Sequence, residues 1–115
     1  SGGAGAREML ELDPRPTAIL AANNFIATGA LRALHEAGLE VPGDVSLAAF
    51  DELARDPSMV PFLTVADQPA YEMGRRATEL LIARLSDPTA NGFQEIVLPT
   101  QIVVRRSCGP AERPT

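Results

Sequence analysis

The sequence predicts an α/β fold with a parallel β-sheet, because two apolar runs alternate with a helical segment. Residues 17–22 and 45–50 are apolar runs bounded by proline, asparagine or aspartate. Such short runs are typical of strands that are buried on both faces, as in a parallel sheet. Residues 24–37, between the runs, carry apolar side chains at the spacing of an amphipathic helix. A strand–helix–strand unit of this kind is a βαβ crossover, whose two strands run parallel.

The predicted helix 24–37 has local start and stop signals. Asn23 and Asn24 precede it, and asparagine is a favoured N-cap because its side chain accepts a backbone N–H at the helix start. Gly38 follows the helix and suits the C′ position, where a left-handed backbone is common. Residues 41–44 (VPGD) then predict the turn that leads into the second strand.

The flanking segments have weaker signals. Residues 6–12 predict the end of an amphipathic helix that Asp13-Pro14 stops. Residues 53–61 contain two prolines, which predict a loop or a short helical turn. Near the end of the chain there are two strand candidates separated by proline, residues 95–99 and 101–105.

Between these segments the sequence predicts one more strand and one more helix. The strand is expected over residues 62–66. The helix is expected over residues 69–86, where apolar side chains form one stripe, with Asp67 as N-cap and Pro69 in the first turn.

The composition excludes several classes of function. The chain has 115 residues, a net charge of −5 and ten basic residues, all of them arginine. Without lysine, this chain alone cannot build a Schiff-base site, a P-loop or a kinase-type phosphate clamp. The acidic balance argues against a nucleic-acid surface on this part of the protein, because phosphate binding needs clustered basic side chains.

The signals of cellular compartment agree with one another. Cys108 is the only cysteine, so no internal disulfide indicates an oxidising compartment. No apolar run approaches the ~20 residues of a membrane-spanning helix, and no signal peptide opens the chain. Ser1–Gly5 leads straight into a helical pattern, as in a chain cut from a longer one. We therefore expect a cytoplasmic fragment of a larger protein.

Polar side chains follow both predicted strands where each strand ends. Asn23 and Asn24 leave the first strand, and Asp51 and Glu52 leave the second. Parallel strands end at the same edge of their sheet, and ligands of open α/β sheets bind beyond the carboxyl ends of the strands. These four side chains are therefore expected to converge on a small-molecule site.

Binding fits these residues better than catalysis. Asp51 and Glu52 are adjacent on an extended segment and point opposite ways, and Asp67 is the only plausible third carboxylate for a Mg²⁺ site. Asp51 is expected to accept hydrogen bonds from a ligand; the competing interpretation is that it caps the following turn. Asn23 is expected to contact the ligand, to cap the helix, or to do both through different atoms.

No catalytic, metal or cofactor site emerges elsewhere. His35, in the last turn of the predicted helix 24–37, is expected at the surface without a nucleophile beside it. Cys108 has no sign of a reactive thiol, and the glycines near the start lack the preceding strand that a phosphate loop requires. The chain is therefore predicted not to be an enzyme and to need no cofactor.

Several segments, in this order, resemble the lactose/galactose/purine repressor (LacI/GalR-type) family of transcriptional regulators. The resemblance extends from residue 6 to about residue 110. The segments that carry it are 16–24 (PTAILAANN), 29–34 (GALRAL), 41–46 (VPGDVS) with 50–51, 68–74 (QPAYEMG) and 98–107. Together they form a specific pattern, although each one alone is only moderately specific.

The resemblance implies a periplasmic-binding-protein-like (type I) parallel-sheet fold, three-layered and here truncated, with two lobes around a small molecule. Residues 1–68 would then be part of the C-terminal lobe. Residues 69–93 would be a crossover helix that belongs to the missing N-terminal lobe, and residues 94–115 would return to the C-terminal lobe and form the tail. DNA binding would belong to a helix-turn-helix domain outside this chain.

By the same resemblance, Asn23, Asp51 and Gln68 occupy positions that contact the effector, and two of them also follow from the sheet-edge pattern. The sequence departs from the family at three nearby positions. Asn24 stands where the family usually has aspartate, Ala49 where it has glycine, and Asp67 where it has a basic residue. The effector is therefore expected to be a sugar or a nucleobase-like molecule whose identity stays open.

The family also dimerises through this lobe. Phe25, Thr28 and Arg32 share one face of the predicted helix, and Met59 follows in the next loop, so these four residues are expected at a homodimer interface. The competing interpretation is that Met59 and Phe62 fill the core.

The function implied is that of a cytoplasmic transcriptional repressor that binds a small effector and is no membrane protein. One alternative is a solute-binding receptor of a transporter, which shares the fold and would carry a signal peptide instead of a helix-turn-helix upstream. The other is a small α/β enzyme such as a sugar-processing hydrolase, in which Asp51→Asn would abolish turnover but keep binding.

Overall fold

The computed structural model describes residues 1–52, 61–89 and 92–111. Its helices and strands follow in the order α1 (Gly2–Leu10), β1 (Ala18–Ala21), α2 (Asn24–Glu36), β2 (Ser46–Phe50), β3 (Thr64–Asp67), α3 (Ala70–Ser86) and β4 (Gln101–Val103). The chain divides into two units: Ser1–Asp67 with Gln101–Thr115, and Gln68–Thr100. None of the described helices has the length and apolar character needed to cross a membrane.

The first unit contains a four-stranded sheet in the order β1-β2-β3-β4. β1 pairs with β2 in parallel, and β2 pairs with β3 in parallel. β4 pairs with β3 in the antiparallel direction. The βαβ crossover and the α/β fold class that the apolar runs predict are thereby confirmed.

Both end signals of α2 act as predicted. The Asn23 side-chain oxygen accepts the Ile26 N–H at 2.8 Å, so Asn23 is the N-cap. Gly38 has a φ of +72°, which glycine adopts at no steric cost. Its N–H donates to His35 O, and the Leu39 N–H donates to Leu34 O, both at 3.0 Å, which is the Schellman pattern.

The core lies on one face of the sheet. α2 packs on β1 and β2, and α1 packs on α2. Alternate strand residues point to this side and are buried: Ile19, Ala21, Leu47, Ala49 and Val65. α2 covers them with small side chains and one leucine: Ala27, Ala30, Ala33 and Leu34.

The prediction that β1 is buried on both faces is wrong for the described residues. β1 alternates between exposed and buried positions, and Leu20 is 66% exposed. Among the described elements, α2 is the helix that packs on β1 and β2, and it covers the face on which Ile19 and Ala21 are buried. An apolar run therefore indicates that both faces of a strand are suited to burial. It does not reveal whether a helix covers each face.

α1 ends at Leu10, inside the segment 6–12 that predicts the end of a helix, and its first turn packs closely on α2 where both helices carry glycine. A Cβ on Gly29 would lie 2.8 Å from the backbone nitrogen of Gly3. A Cβ on Gly2 would overlap the carbonyl group of Ile26. The helical propensity of glycine is low, so this tertiary contact overrides the local preference.

Two predictions about residues 67–99 are wrong. Asp67 does not cap α3: it is the last residue of β3 and pairs with Gln101, while Pro69 occupies the N-cap position without a side-chain hydrogen bond. Residues 95–99 form no strand, because the sheet partner of β3 is the segment 101–103. The predicted loop at 53–61 falls almost entirely outside the described residues.

The second unit, Gln68–Thr100, contains α3 and the segment after it. α3 has no buried residue, and all but one of its large apolar side chains are exposed: Tyr71, Met73, Leu81, Ile82 and Leu85. Its charged side chains pair with one another along the helix, with Arg75 between Glu72 and Glu79. The guanidinium of Arg84 lies 5.4 Å from the ring centroid of Phe93.

Candidate functional site

The candidate site begins with two polar residues at the same level of the sheet edge. The β1–β2 register pairs Ala21 with Ala49. Asn23 and Asp51 each follow two residues later, so they leave neighbouring parallel strands side by side. Both residues are partly buried. The structure thus brings together the two site residues that the sheet-edge pattern predicts.

Asn23 performs a structural task with one of its two side-chain atoms. Its Oδ1 accepts the N–H of Ile26. Its Nδ2 group, which has two N–H donors, takes no part in this bond. Capping and ligand contact are therefore compatible in Asn23, as the sequence suggests.

Asp51 has a left-handed backbone, with a φ of +66°, and is the only described residue other than glycine with a positive φ. Aspartate tolerates this conformation better than most residues do. The Asp51 N–H donates to Ala66 O at 3.0 Å, which extends the β2–β3 pairing by one bond. Backbone conformations of this rare kind are concentrated at functional sites.

The carboxylate of Glu52 is engaged by Arg105. Two guanidinium nitrogens donate to its two oxygens, each at 2.7 Å. The side chains are only 20% and 19% exposed for Glu52 and Arg105, respectively. The hydrogen bonds that Arg105 donates to Glu52 raise the pKa of Arg105 above its usual value, against an opposing effect of burial, and the charges of Glu52 and Asp67 add to the rise.

Asn24 uses its side chain to hold the turn after β2, which consists of Asp51 and Glu52. Its Nδ2 donates to Glu52 O at 3.0 Å, so it ties the start of α2 to the turn after β2. Asparagine can make this bond because its side chain has N–H donors, which a carboxylate lacks. The four predicted edge residues therefore separate into Asn23 and Asp51, which lie at the edge, and Asn24 and Glu52, which hold the turn.

Gln68 is the first residue of the second unit, directly after Asp67. It is partly buried, and its carbonyl accepts the N–H of Ala70 at 2.8 Å. Its predicted effector contact stays a prediction.

Three of the four predicted interface residues lie on the exposed face of α2. Phe25 is 83% exposed, and Thr28 and Arg32 are exposed as well. Thr28 and Arg32 line a groove of about 600 Å³ together with Phe62. Met59, the fourth predicted interface residue, lies outside the described residues.

Phe62 is only partly buried and packs against the core cluster. The guanidinium of Arg106 lies 5.9 Å from the centroid of its ring. Phe62 therefore combines features of both interpretations: it contacts the core, and it also borders the groove beside the predicted interface residues.

Within residues 1–52, 61–89 and 92–111, no group of three or more His, Cys, Asp or Glu side chains could hold a metal ion. His35 is exposed in the last turn of α2. The Sγ of Cys108 lies 3.5 Å from Leu47 O. The arrangement at the sheet edge is suited to hydrogen bonding with a polar ligand.

The sequence does not predict the pairing of Glu52 with Arg105, or the role of Ser107. Ser107 is fully buried: its Oγ donates to Leu47 O and accepts the Thr64 N–H at 2.8 Å. Sequence spacing gives no signal for either feature, because each joins segments that are remote along the chain. A correct pairing of β3 with β4 would have placed Arg105 opposite Leu63.

Comparisons with known proteins agree with this fold. A sequence model of the periplasmic binding protein-like domain family matches residues 1–108. The lactose operon repressor of Rhizobium radiobacter is 36% identical over 102 residues, which are 89% of this chain and 88% of that protein. The ribose operon repressor of Halalkalibacterium halodurans is 33% identical over 101 residues, 88% of this chain but only 30% of that protein.

Among solved structures, a LacI family transcriptional regulator from Enterococcus faecium with bound ribose is similar, with a TM-score of 0.82 and 31% sequence identity. The similarity covers 96% of this chain and 40% of that one. The chain thus spans less than half the length of two of these three relatives, and most of the length of the third.

Proposed function

The chain belongs to the periplasmic binding protein-like domain family and, within it, to the LacI-type regulators, and on that premise we propose that it forms part of the effector-binding core of a transcriptional repressor. DNA binding would reside in a helix-turn-helix domain outside this chain. The similarity to repressors of the lactose and ribose operons supports this proposal. As a DNA-directed regulator, the protein would act in the cytoplasm.

The carrying observation is that Asn23 and Asp51 follow neighbouring parallel strands at the same level of their carboxyl edge. A carboxylate accepts hydrogen bonds from two hydroxyl groups, and an amide both donates and accepts. Sugars present neighbouring hydroxyl groups that need both kinds of partner. Gln68 would add a second amide. The ribose bound to the similar Enterococcus regulator favours a sugar over a nucleobase.

The lobe assignment is part of this proposal. Residues 1–68 and 94–115 would belong to the C-terminal lobe, and residues 69–93 would belong to the N-terminal lobe. The division of the chain after Asp67 supports the first boundary to within one residue, whereas the second division lies before Gln101 and not before residue 94. The exposure of the apolar side chains of α3 supports the assignment as well, since such a helix normally packs against further structure.

Regulation would follow from population shift. An effector held between two lobes favours the lobe geometry that it contacts best, and only differential binding can shift such an equilibrium. The new geometry would change the spacing of the DNA-binding domains in a dimer. Each chain would contribute its α2 face, with Phe25, Thr28 and Arg32, to the dimer.

A binding role is better supported than glycoside hydrolysis. Hydrolysis of this kind requires two carboxyl groups, one of which donates a proton to the leaving group. Glu52, beside Asp51, is paired with Arg105 through both of its oxygens, and such pairing holds a carboxylate in its ionised form. Glu52 is therefore unsuited to act as a general acid.

Isothermal titration calorimetry tests the proposal on a protein that contains both proposed lobes. D-Ribose, D-galactose and lactose are the probes, and one of them is expected to bind with one-to-one stoichiometry. Asp51→Ala should weaken binding at least about tenfold, since it removes charged hydrogen-bond acceptors. Arg7→Gln, which removes an exposed ion pair between α1 and α2, is the control.

The 115-residue chain alone should bind the same sugar far more weakly, because half of the pocket would be absent. Tight stoichiometric binding by this chain would contradict the two-lobe proposal. Sugar turnover that Asp51→Asn abolishes without loss of binding would favour the enzyme alternative instead.

A further inference from the structure

The turn after β2 is held from three sides. The Asp51 N–H donates to Ala66 O on β3. The Glu52 carbonyl oxygen accepts a hydrogen bond from Asn24 Nδ2 at the start of α2. The Glu52 carboxylate receives both arms of the Arg105 guanidinium. The residue at the centre of these ties is Asp51, which has the left-handed backbone.

We propose that Glu52 and Arg105 are positioning residues, whose ion pair fixes the turn that holds Asp51 at the effector-binding edge. This inference rests on the proposed function, in which Asp51 contacts the effector. Glu52 and Arg105 themselves need not touch the effector. Their contribution is to hold the backbone of Glu52, and with it that of Asp51, in one conformation.

The backbone of Asp51 explains why such a tie is needed. A left-handed conformation is less favourable than a helical or extended one for every residue with a Cβ. Asp51 therefore keeps it only while neighbouring contacts oppose relaxation. Relaxation would change the direction in which the Asp51 side chain leaves the sheet edge, and the entropy of ordering the turn would then reduce the affinity for the effector.

The Glu52–Arg105 pair can act in this way because it is rigid and partly buried. The exposed pair Arg32–Glu36 has side chains that are 82% and 47% exposed, and exposed pairs of this type contribute little to stability. Arg105 is held at further points: its guanidinium donates to Leu63 O at 3.0 Å, and its backbone N–H donates to Thr64 Oγ1 at 2.9 Å. These contacts restrain the guanidinium in the position from which it donates to Glu52.

Lysine would not replace Arg105. A guanidinium presents a planar fork that meets both carboxylate oxygens at once, whereas an ammonium group is a single flexible charge. In Arg105→Lys, the charge is conserved while the two-point contact and the bond to Leu63 O cannot both be kept. This substitution therefore separates geometric positioning from simple charge compensation.

The first test uses backbone NMR on the 115-residue chain with Arg105→Lys, Glu52→Gln and the exposed control Arg7→Gln. Hydrogen exchange of the Asp51 amide should become about tenfold faster in both pair variants, the effect of losing roughly one net hydrogen bond. The three-bond coupling between the amide proton and the Hα of Asp51, which depends on φ, should move away from the value of a left-handed residue. The amide of Leu47, in the middle of the sheet, should be unaffected, and Arg7→Gln should resemble the parent chain.

Equal exchange rates and couplings at Asp51 in all four proteins would overturn the proposal. Glu52→Gln keeps the shape of the side chain and one hydrogen-bond acceptor, so it is expected to fold. The test can therefore rest on this variant if Arg105→Lys unfolds. If the exchange of every amide rises together in both variants, the pair has only a general structural role, and the proposal is wrong.

The second test measures sugar affinity by calorimetry in a protein with both proposed lobes. Arg105→Lys should weaken binding about tenfold in the parent background and should have no further effect in the Asp51→Ala background. Additive losses would show that Arg105 does not act through Asp51. If the parent binds no sugar, the proposed function fails, while the exchange rate of the Asp51 amide still decides whether the pair positions the turn.

Discussion

The carboxylate of Glu52 meets the guanidinium of Arg105 through two hydrogen bonds of 2.7 Å, although the residues lie 53 positions apart in the chain. One residue follows β2, and the other follows β4. The pair forms only when both segments have folded onto the sheet. Contacts of this kind position the candidate site, and they lead to predictions in which stability and binding respond differently.

Ser107→Ala should lower the free energy of unfolding by about 1–3 kcal/mol, because it leaves the buried Leu47 carbonyl and the Thr64 N–H without their hydroxyl partner. Denaturant unfolding followed by circular dichroism measures the change. Ser46→Ala is the matched control, since the Ser46 hydroxyl bonds Gly109 in an exposed position. A loss no larger than that of the control would show that the burial of Ser107 is unimportant.

Gly29→Ala should destabilise the packing of α1 on α2 by about 1–3 kcal/mol, because the added methyl group would lie 2.8 Å from the backbone of Gly3. Gly5→Ala, in α1 but with no atom within 4 Å of the new Cβ, should instead stabilise the helix by about 0.5–1 kcal/mol. Thermal unfolding of the two variants compares them directly. Equal effects of the two substitutions would contradict the close crossing of the helices.

Substitutions at Asn23 should separate capping from binding. Asn23→Ser keeps a capping oxygen, so its unfolding free energy should stay within about 0.5 kcal/mol of the parent, whereas Asn23→Ala should lose about 1 kcal/mol. Both variants lack the amide group and should bind the sugar effector more weakly. Parent-like affinity in Asn23→Ser, measured by calorimetry, would mean that Asn23 serves only the helix.

Phe25→Ser should weaken self-association without lowering the stability of the monomer, because the side chain is 83% exposed and packs on little of its own chain. Sedimentation velocity over a concentration series measures the effect. Tyr71→Ser, which removes an equally exposed aromatic ring from α3, is the control. Unchanged association in the Phe25 variant would remove the α2 face from the proposed dimer.

The helix content of α3 should depend on acid pH. Hydrogen bonding from Arg75 lowers the pKa of Glu72 below its ordinary value of 4.5, against some desolvation, and Arg76 contributes in the same direction. Ionised Glu72 therefore favours the helix above pH 4.5, and this contribution is lost as the pH falls through the lowered pKa. Circular dichroism during an acid titration should show the loss, and Glu72→Gln should reduce it.

Local rules were sufficient for the part of the fold that surrounds the binding edge. The caps of α2 at Asn23 and Gly38 and the parallel direction of β1 and β2 depend on neighbouring residues and on one handedness rule. The placement of Asn23 beside Asp51 follows from the same rules. The sequence therefore predicts which side chains meet at the sheet edge.

Long-range contacts determined what the sequence could not predict. The glycines of α1 are helical because α2 approaches them closely, which no local propensity indicates. Asp67 stays in β3 because Gln101 pairs with it, although its sequence context suits a helix cap. Asn24 and Glu52 look like ligand contacts in the sequence, yet each has a partner from another segment of the first unit.

Ser107 also determines when the first unit can complete its folding during synthesis. Its backbone bonds both Leu47 N–H and Phe62 O, so it closes the space between the start of β2 and the segment before β3. A growing chain exposes β1, β2 and β3 to solvent well before Ser107 has been made, and residues 68–100 emerge in the interval. The first unit therefore stays incompletely folded while residues 68–100 are translated. Long-range contacts that form this late slow folding, and the exposed apolar surface can be bound by chaperones in the meantime.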